Sequence, residues 1–302
     1  MRALLVFNPY ATTTDQRVRD VITSALSSAV DLEVAPTKQR GHATHLVAGA
    51  VHEGVDAVFV LGGDGTANEV IQALAGTPTR LGLIPGGGTN VFARALGLPN
   101  DAVAATSVLL EHLRADRTRA ITLGRAGERY FGFNAGFGFD AAVVRHVEQH
   151  ANVKRALRQL AFVWSTGREW VAGQGRAAPA VTVRLPDGTT VGPFAITIVA
   201  NTDPYTYLGS RPLHVHPQAS FDRGLDLVGI RAVSTATLLS IVARVFRDGS
   251  HVRSKHVSYH HDLTAFDLTA PSPLPSMVDG DYAGERTEIA FHAVGEALHV
   301  LA

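Results

Sequence analysis

The sequence predicts an α/β domain followed by a β-sandwich domain with helical inserts. Three observations carry that prediction. Short apolar runs alternate with helically periodic stretches up to about residue 118, closely punctuated strand-like runs take over from about residue 119, and two glycine-rich loops stand at corresponding strand-to-helix junctions of the first part. A chain of 302 residues is long for one packed core, and 46% hydrophobic against 18% charged residues supplies enough apolar surface for two. Domains are therefore expected at 1–118 and 119–302, with the apolar run 297–301 able to return to either of them.

In the first domain, residues 2–8 form an apolar strand that Asn8-Pro9 ends. Val18, Val21, Ile22, Ala25 and Leu26 recur at helical spacing over 15–28, with Thr14 placed to cap the start. A strand at 32–35 follows, then a helix at 43–53 with Leu46, Val47, Ala50 and Val51 on one side, then a buried strand at 57–61. Gly62-Gly63-Asp64-Gly65-Thr66 closes that strand and opens a helix over about 67–75. Residues 81–84 make a fourth strand, and Pro85-Gly86-Gly87-Gly88-Thr89-Asn90 precedes another helix. The second domain reads as antiparallel strands at 120–125, 130–135, 180–185, 194–201, 225–233, 252–259, 263–269 and 286–293, divided by turn residues such as Pro186-Asp187-Gly188. Helices at 152–171 and 236–247 interrupt them.

Composition removes several functional classes. With 27 basic against 27 acidic residues and a pI near 7.3, the chain has no basic field for nucleic acid and no polybasic membrane anchor. The absence of cysteine excludes disulfides, thiolate nucleophiles and cysteine-held metals, and suits a reducing compartment, so a cytoplasmic location is expected. The opening apolar run is too short for a secretory signal, and nowhere do about 18 consecutive apolar residues occur. A transient, peripheral contact with the inner face of a membrane stays open.

A parallel sheet binds ligands at the carboxyl ends of its strands, where helix N-termini favour phosphate. Gly62, Gly63 and Gly65 on one loop and Gly86, Gly87 and Gly88 on the next let the backbone approach a ligand closely. One such cluster is as readily a tight turn; two at matching junctions point to a polyphosphate. Asp64 among these glycines would repel phosphate unless a cation lay between, which predicts Mg²⁺. The P-loop pattern is missing, and Asn8-Pro9-Tyr10-Ala11 stands where a dinucleotide fingerprint would follow the first strand.

Taken in order, Asn8-Pro9, Thr37 with Gly41-His42-Ala43, the run from Leu61 through Glu69, and the run from Ile84 through Arg94 resemble the diacylglycerol kinase catalytic domain, the lipid-kinase family that also includes sphingosine and ceramide kinases. The likeness continues through Asn134-Ala135-Gly136-Phe137-Gly138-Phe139-Asp140, Asp222-Arg223-Gly224-Leu225-Asp226 and Val278-Asp279-Gly280-Asp281. The resemblance implies an NAD-kinase-like nucleotide-binding domain joined to a β-sandwich, with the active site in a cleft. It implies ATP phosphates on Gly62, Gly63, Gly65, Thr66, Gly86, Gly87, Gly88 and Thr89, with Asn8 and Thr37 lining the nucleotide side. By the same likeness Asp64 organises metal and phosphate, Asp279 is the general base with Asp281 beside it, and Asp222 resembles a second, structural Mg²⁺ site. Arg223 stands there in place of a small residue.

The implied activity is transfer of the ATP γ-phosphoryl group to the hydroxyl of diacylglycerol or a similar lipid alcohol. A sphingoid or ceramide acceptor, an NAD-kinase-type activity and a non-catalytic lipid- or nucleotide-binding module are the alternatives. Without the resemblance, Asp279-Gly280-Asp281 reads first as a hairpin turn. Phe137, Phe139 and the segment 205–208 are candidate acceptor contacts. His214 with His216, and His260 with His261, lack any third-ligand pattern and read as structural or solvent-facing. On helix 152–171, the face of Leu157, Leu160, Ala161 and Trp164 beside Lys154, Arg155, Arg158 and Arg168 suits either packing on the sandwich or a membrane surface.

Overall fold

Strands β1 (Arg2–Phe7) and β3 (Ala57–Gly62) are buried along almost their whole length, as continuous apolar runs at the centre of a two-faced parallel sheet must be. Both belong to a computed structural model that describes residues 1–10, 15–138, 180–231 and 234–302. The chain divides into one unit of Met1–Leu123 with Gly295–Ala302 and a second of Gly124–Val294.

In the first unit, β2 (Asp31–Pro36), β1, β3 and β4 (Arg80–Pro85) lie side by side in that order, all parallel, with Leu5 opposite Val34 on one flank and Phe59 on the other. Helix α1 (Gln16–Ser27) is capped by Asp15, whose carboxylate accepts the Val18 N–H at 2.9 Å; Thr14, the cap expected from sequence, lies outside the described residues. Helices α2 (His42–His52) and α3 (Asp64–Leu74) follow their strands as expected. After the short α4 (Val91–Ala95) comes α5 (Ala102–Arg114), capped by Asp101, an element the periodicity did not single out. The stretch at 297–301 returns to this unit: His299 and Val300 pair in parallel with Arg80 and Leu81 of β4, and the Leu301 N–H donates to the Leu81 carbonyl at 2.9 Å.

The second unit takes β5 (Arg119–Ala126) from Gly124 onward and runs antiparallel. One layer has the order β14 (Val257–Leu263), β13 (Leu225–Ile230), β10 (Ile196–Ala200), β7 (Asn134–Gly138) and the far end of β15 (Ala265–Val278). The near end of β15 pairs instead with β8 (Val181–Arg184), itself paired with β9 (Thr190–Phe194). β15 thus changes sheets through its irregular middle, a corner built as sandwiches build them. Phe131, Phe137, Phe194, Leu227, Phe266 and Phe291 fill the core between the layers. On the outer face of β13, Val228 and Ile230 pack against Ile241 and Val245 of α6 (Thr235–Arg247), so this strand is buried on both sides.

Several sequence expectations are corrected here. Residues 250–253 form a 3-10 turn entered through the left-handed Gly249, and the strand expected from 252 begins at Val257. The runs 263–269 and 286–293 extend into β15 and β16 (Asp281–Val300), which joins with the stretch at 297–301. The single strand expected at 130–135 is split into β6 (Arg129–Phe131) and β7, for a reason given below. The hairpin β11 (Thr206–Leu208) with β12 (Arg211–Leu213) and strand β9 had no counterpart in the sequence reading. Helix 152–171, Phe139 and Asp140 lie outside the described residues.

Candidate active site

The carboxyl ends of the four parallel strands come together at one edge of the first unit. There the Asn8 N–H donates to the Leu61 carbonyl at 3.2 Å and the Thr37 N–H to the Phe7 carbonyl at 2.8 Å, while the Gly86 N–H reaches the Gly62 carbonyl at 2.8 Å. Asn8, Thr37 and both glycine loops are therefore neighbours on this edge. The loops touch backbone to backbone: a Cβ on Gly87 would lie 2.8 Å from the Gly63 Cα, closer than real side chains come. Gly65 and Gly88 stand outermost, and Thr66 folds back over Gly62, where an added Cβ would meet its own Cβ at 2.9 Å.

Two residues not picked out from sequence hold this edge in shape. Asn90, buried and left-handed at φ 52, accepts the Gly87 N–H at 2.9 Å and donates back to the Gly87 carbonyl at 2.9 Å and to Asn100 at 2.8 Å. Its sequence signal was an asparagine two residues beyond a glycine run, a residue that tolerates positive φ. Glu69 of α3 accepts the Gly41 N–H at 2.8 Å and the Ala43 N–H at 3.1 Å, closing the exposed donors at the start of α2.

Asp64, the first residue of α3, turns its carboxylate to the second loop and accepts the Phe92 N–H at 3.1 Å. Burial pushes its carboxyl pKa up, opposed by the Phe92, Val91 and Asn90 amides and by the Arg94 charge. A folded pKa above the unfolded one makes ionisation work against the fold. The stability from this group is full below the ordinary carboxylate range and is lost as pH rises through the raised pKa. Asp64→Asn keeps an oxygen for the Phe92 N–H and abolishes that ionisation. Its Tm relative to the native protein should therefore be higher at pH 7 than at pH 4. An offset equal at both pH values in thermal melts would refute the burial argument.

No group of three or more His, Asp or Glu side chains among the described residues stands ready to hold a metal ion. A nucleotide-bound Mg²⁺ asks less, because phosphates and water supply most of its ligands and one carboxylate completes them. Asp64, a carboxylate whose charge burial disfavours and which stands in the first glycine loop facing the residues after the second, fits that demand. Asp222 is exposed on its turn, and the Arg223 guanidinium lies 3.6 Å from Asp262, whose other oxygen accepts the Gly224 N–H at 2.7 Å. The second Mg²⁺ site at Asp222 rests on the resemblance alone. The histidines form no metal cluster among the described residues either. His216 is buried and hydrogen-bonded to the Ile198 carbonyl, with burial pushing it down to about 3, while His214 pairs with Asp203 and His261 with Asp226 at 2.7 Å.

In the second unit, Asp279 and Gly280 have φ of 48 and 80, and Val278 pairs with Asp281 across them, so the segment is a two-residue hairpin turn of the type Asp-Gly favours. The turn also presents a carboxylate. Asp279 is 5% exposed and accepts the N–H groups of Gly132 at 2.7 Å, Phe133 at 3.0 Å and Asn134 at 3.1 Å, while its own N–H donates to the Asn134 carbonyl at 2.8 Å. These bonds divert the amides of residues 132–134 from the ladder and explain why β6 and β7 are separate strands. Asp281 lies 3.3 Å from Arg129. Phe137, offered from sequence as an acceptor contact, is fully buried in the sandwich core.

Comparison with known proteins gives the family and the fold. Residues 2–126 match the diacylglycerol kinase catalytic domain and residues 134–302 the YegS C-terminal NAD kinase beta sandwich-like domain. The chain is 33% identical over 272 residues to a diacylglycerol kinase of Mycobacterium tuberculosis, covering 86% of this chain and 81% of that one. It is 27% identical over 290 residues to a diacylglycerol kinase of Staphylococcus aureus, covering 94% and 87%. Among solved structures, a diacylglycerol kinase from Bacillus anthracis superposes with a TM-score of 0.73 at 19% identity, over 99% of this chain and 96% of that one. An NAD kinase from Archaeoglobus fulgidus in complex with ATP gives 0.54 at 15% identity, over 100% and 94%. These two share the NAD-kinase-like fold, an α/β part followed by a β-sandwich with few helices. A relative one-third identical across most of both sequences, together with family matches to nearly the whole chain, makes this protein a member of the diacylglycerol kinase family.

Proposed function

We propose that the protein is an ATP- and Mg²⁺-dependent lipid kinase that transfers the γ-phosphoryl group to the hydroxyl of diacylglycerol or a similar lipid alcohol. The observation that supports this reading most is the backbone contact of Gly63 with Gly87 at the carboxyl edge of the parallel sheet, which sets two glycine loops side by side with Gly65 and Gly88 exposed and no side chain between the loops. Gly62, Gly63, Gly65 and Thr66 take one part of the triphosphate and Gly86, Gly87, Gly88 and Thr89 the rest, with Asn8 and Thr37 beside the nucleoside. When bound, Mg²⁺ neutralises charge on the phosphate oxygens, and Asp64 is the residue that would hold it.

Phosphoryl transfer passes through a loose transition state, so positioning and charge do most of the catalysis and the proton leaves the acceptor late. Asp279 accepts that proton from the lipid hydroxyl as its oxygen bonds to phosphorus. Three backbone N–H donors fix the direction of its carboxylate, which suits a base that must meet one hydroxyl in one orientation. Asp281, paired with Arg129, holds the other side of the turn. The lipid acceptor calls for access to a membrane surface. No helix among the described residues is long and apolar enough to cross a bilayer, and α6 offers exposed Leu239 and Val242 beside Arg244 and Arg247 for surface contact.

The direct test incubates the purified protein with labelled ATP, Mg²⁺ and separately dispersed diacylglycerol, ceramide, sphingoid base and NAD. Labelled organic-phase product from diacylglycerol is expected. Label appearing on NAD would move the protein to the NAD-kinase reading, and ATP binding without product from any acceptor would leave a binding module.

A further inference from the structure

The β15–β16 hairpin is not zipped throughout. Its register shifts between Thr269 and Leu274 and again between Pro275 and Met277, and Pro271, Pro273 and Pro275 each lack the N–H a ladder needs. Beneath this opening, with Val278 in its wall and so one residue from Asp279, lies a cavity of about 200 Å³. Met277, Ile289 and Phe291 form an apolar floor, each no more than 6% exposed, and Arg129 and Arg286 line the same cavity. Arg129 is drawn toward Asp281, whereas Arg286 is exposed.

An apolar floor with guanidinium groups at its edge selects a molecule that is greasy at one end and anionic at the other. We propose that this cavity binds the head and first carbons of a phosphorylated lipid, with the phosphomonoester on Arg129 and Arg286 and the start of the alkyl chain on Met277, Ile289 and Phe291. Arginine is suited to this task because its planar fork meets phosphate oxygens two at a time. The volume exceeds the roughly 150 Å³ that admits a benzene ring, so it holds a short length of chain rather than a whole acyl tail. The inference rests on the lipid-kinase reading for the identity of its ligand: a lipid phosphate is what that reaction makes, and the cavity adjoins the turn that carries Asp279. The site is then where product lingers after transfer, so a lipid phosphate should inhibit competitively with the lipid alcohol and not with ATP.

The test uses the full chain without ATP or acceptor, so turnover does not enter it. Octyl phosphate, octanol and inorganic phosphate are titrated calorimetrically. Octyl phosphate should bind one per chain at least tenfold more tightly than either of the others. Arg286→Ala should weaken it tenfold or more, Arg286→Lys by less, and Ala283→Leu should remove the preference for octyl phosphate over inorganic phosphate by filling the cavity. Equal affinity for octyl phosphate and inorganic phosphate, or octyl phosphate binding indifferent to both Arg286→Ala and Ala283→Leu, would overturn the proposal. Labelled product from diacylglycerol in a protein that does not bind octyl phosphate would end this inference and leave the kinase reading standing. Octyl phosphate binding in a protein inactive on every acceptor would do the reverse.

Discussion

Replacing Asp279 by asparagine is expected to lower turnover by about 10²–10⁴-fold while leaving ATP affinity within about twofold of the native value, the range a general base contributes. The hydrogen bonds of the Asp279 carboxylate run to Gly132, Phe133 and Asn134 of its own unit, so the substitution acts first on those amides and not on the glycine loops. It does disturb its own surroundings. An asparagine side chain turns an NH₂ group toward one of the Gly132, Phe133 or Asn134 donors, and a buried donor left without an acceptor costs roughly 1–3 kcal/mol. Thermal melts, ATP titration and single-turnover rates on the same preparation separate the two effects. A lowered Tm with near-native transfer would leave Asp279 as an anchor for residues 132–134 and remove it from the chemistry.

The second large effect belongs to Gly87. Alanine there puts a methyl group 2.8 Å from the Gly63 Cα and 2.9 Å from the Asn90 side-chain oxygen, and neither neighbour is the loose end of a flexible chain. The loops must part by several tenths of an ångström. Overpacking of that kind costs about 1–3 kcal/mol, and if it falls on the nucleotide-binding shape, ATP affinity drops by roughly 10- to 100-fold. The Tm should fall as well. Gly88→Ala is the control, since nothing lies within 4 Å of its added Cβ and the fold should not register it. Matching melting curves for Gly87→Ala and Gly88→Ala would mean that the loops do not depend on this contact.

The first unit was legible because its signals are local. An apolar run such as Ala57–Gly62, ended by glycines, declares a buried strand and a ligand loop within a few residues. The residues that shape those loops were harder to see. Glu69 acts 28 residues from Gly41, and neither the spacing nor the residue type announces that partnership. In the second unit the prolines of β15 argued for a strand ending near 269, yet the strand continues because they fall at its bulged middle, where ladder bonds are already missing. The split between β6 and β7 was invisible for a related reason, since it depends on a carboxylate 145 to 147 residues away. Asp279-Gly280-Asp281 shows the limit most clearly. Turn and carboxylate site looked like competing readings of one tripeptide, and the left-handed turn is what aims the Asp279 carboxylate at its three amides.

The strand that His299 and Val300 add alongside β4 also bears on how the polypeptide matures. Residues Gly295–Ala302 leave the ribosome only after all of the second unit, so the parallel sheet waits with its β4 edge unpaired while the sandwich is being synthesised. The β4 edge is thus covered only late in translation, and nascent chains stalled before residue 295 would offer a sticky edge to chaperones.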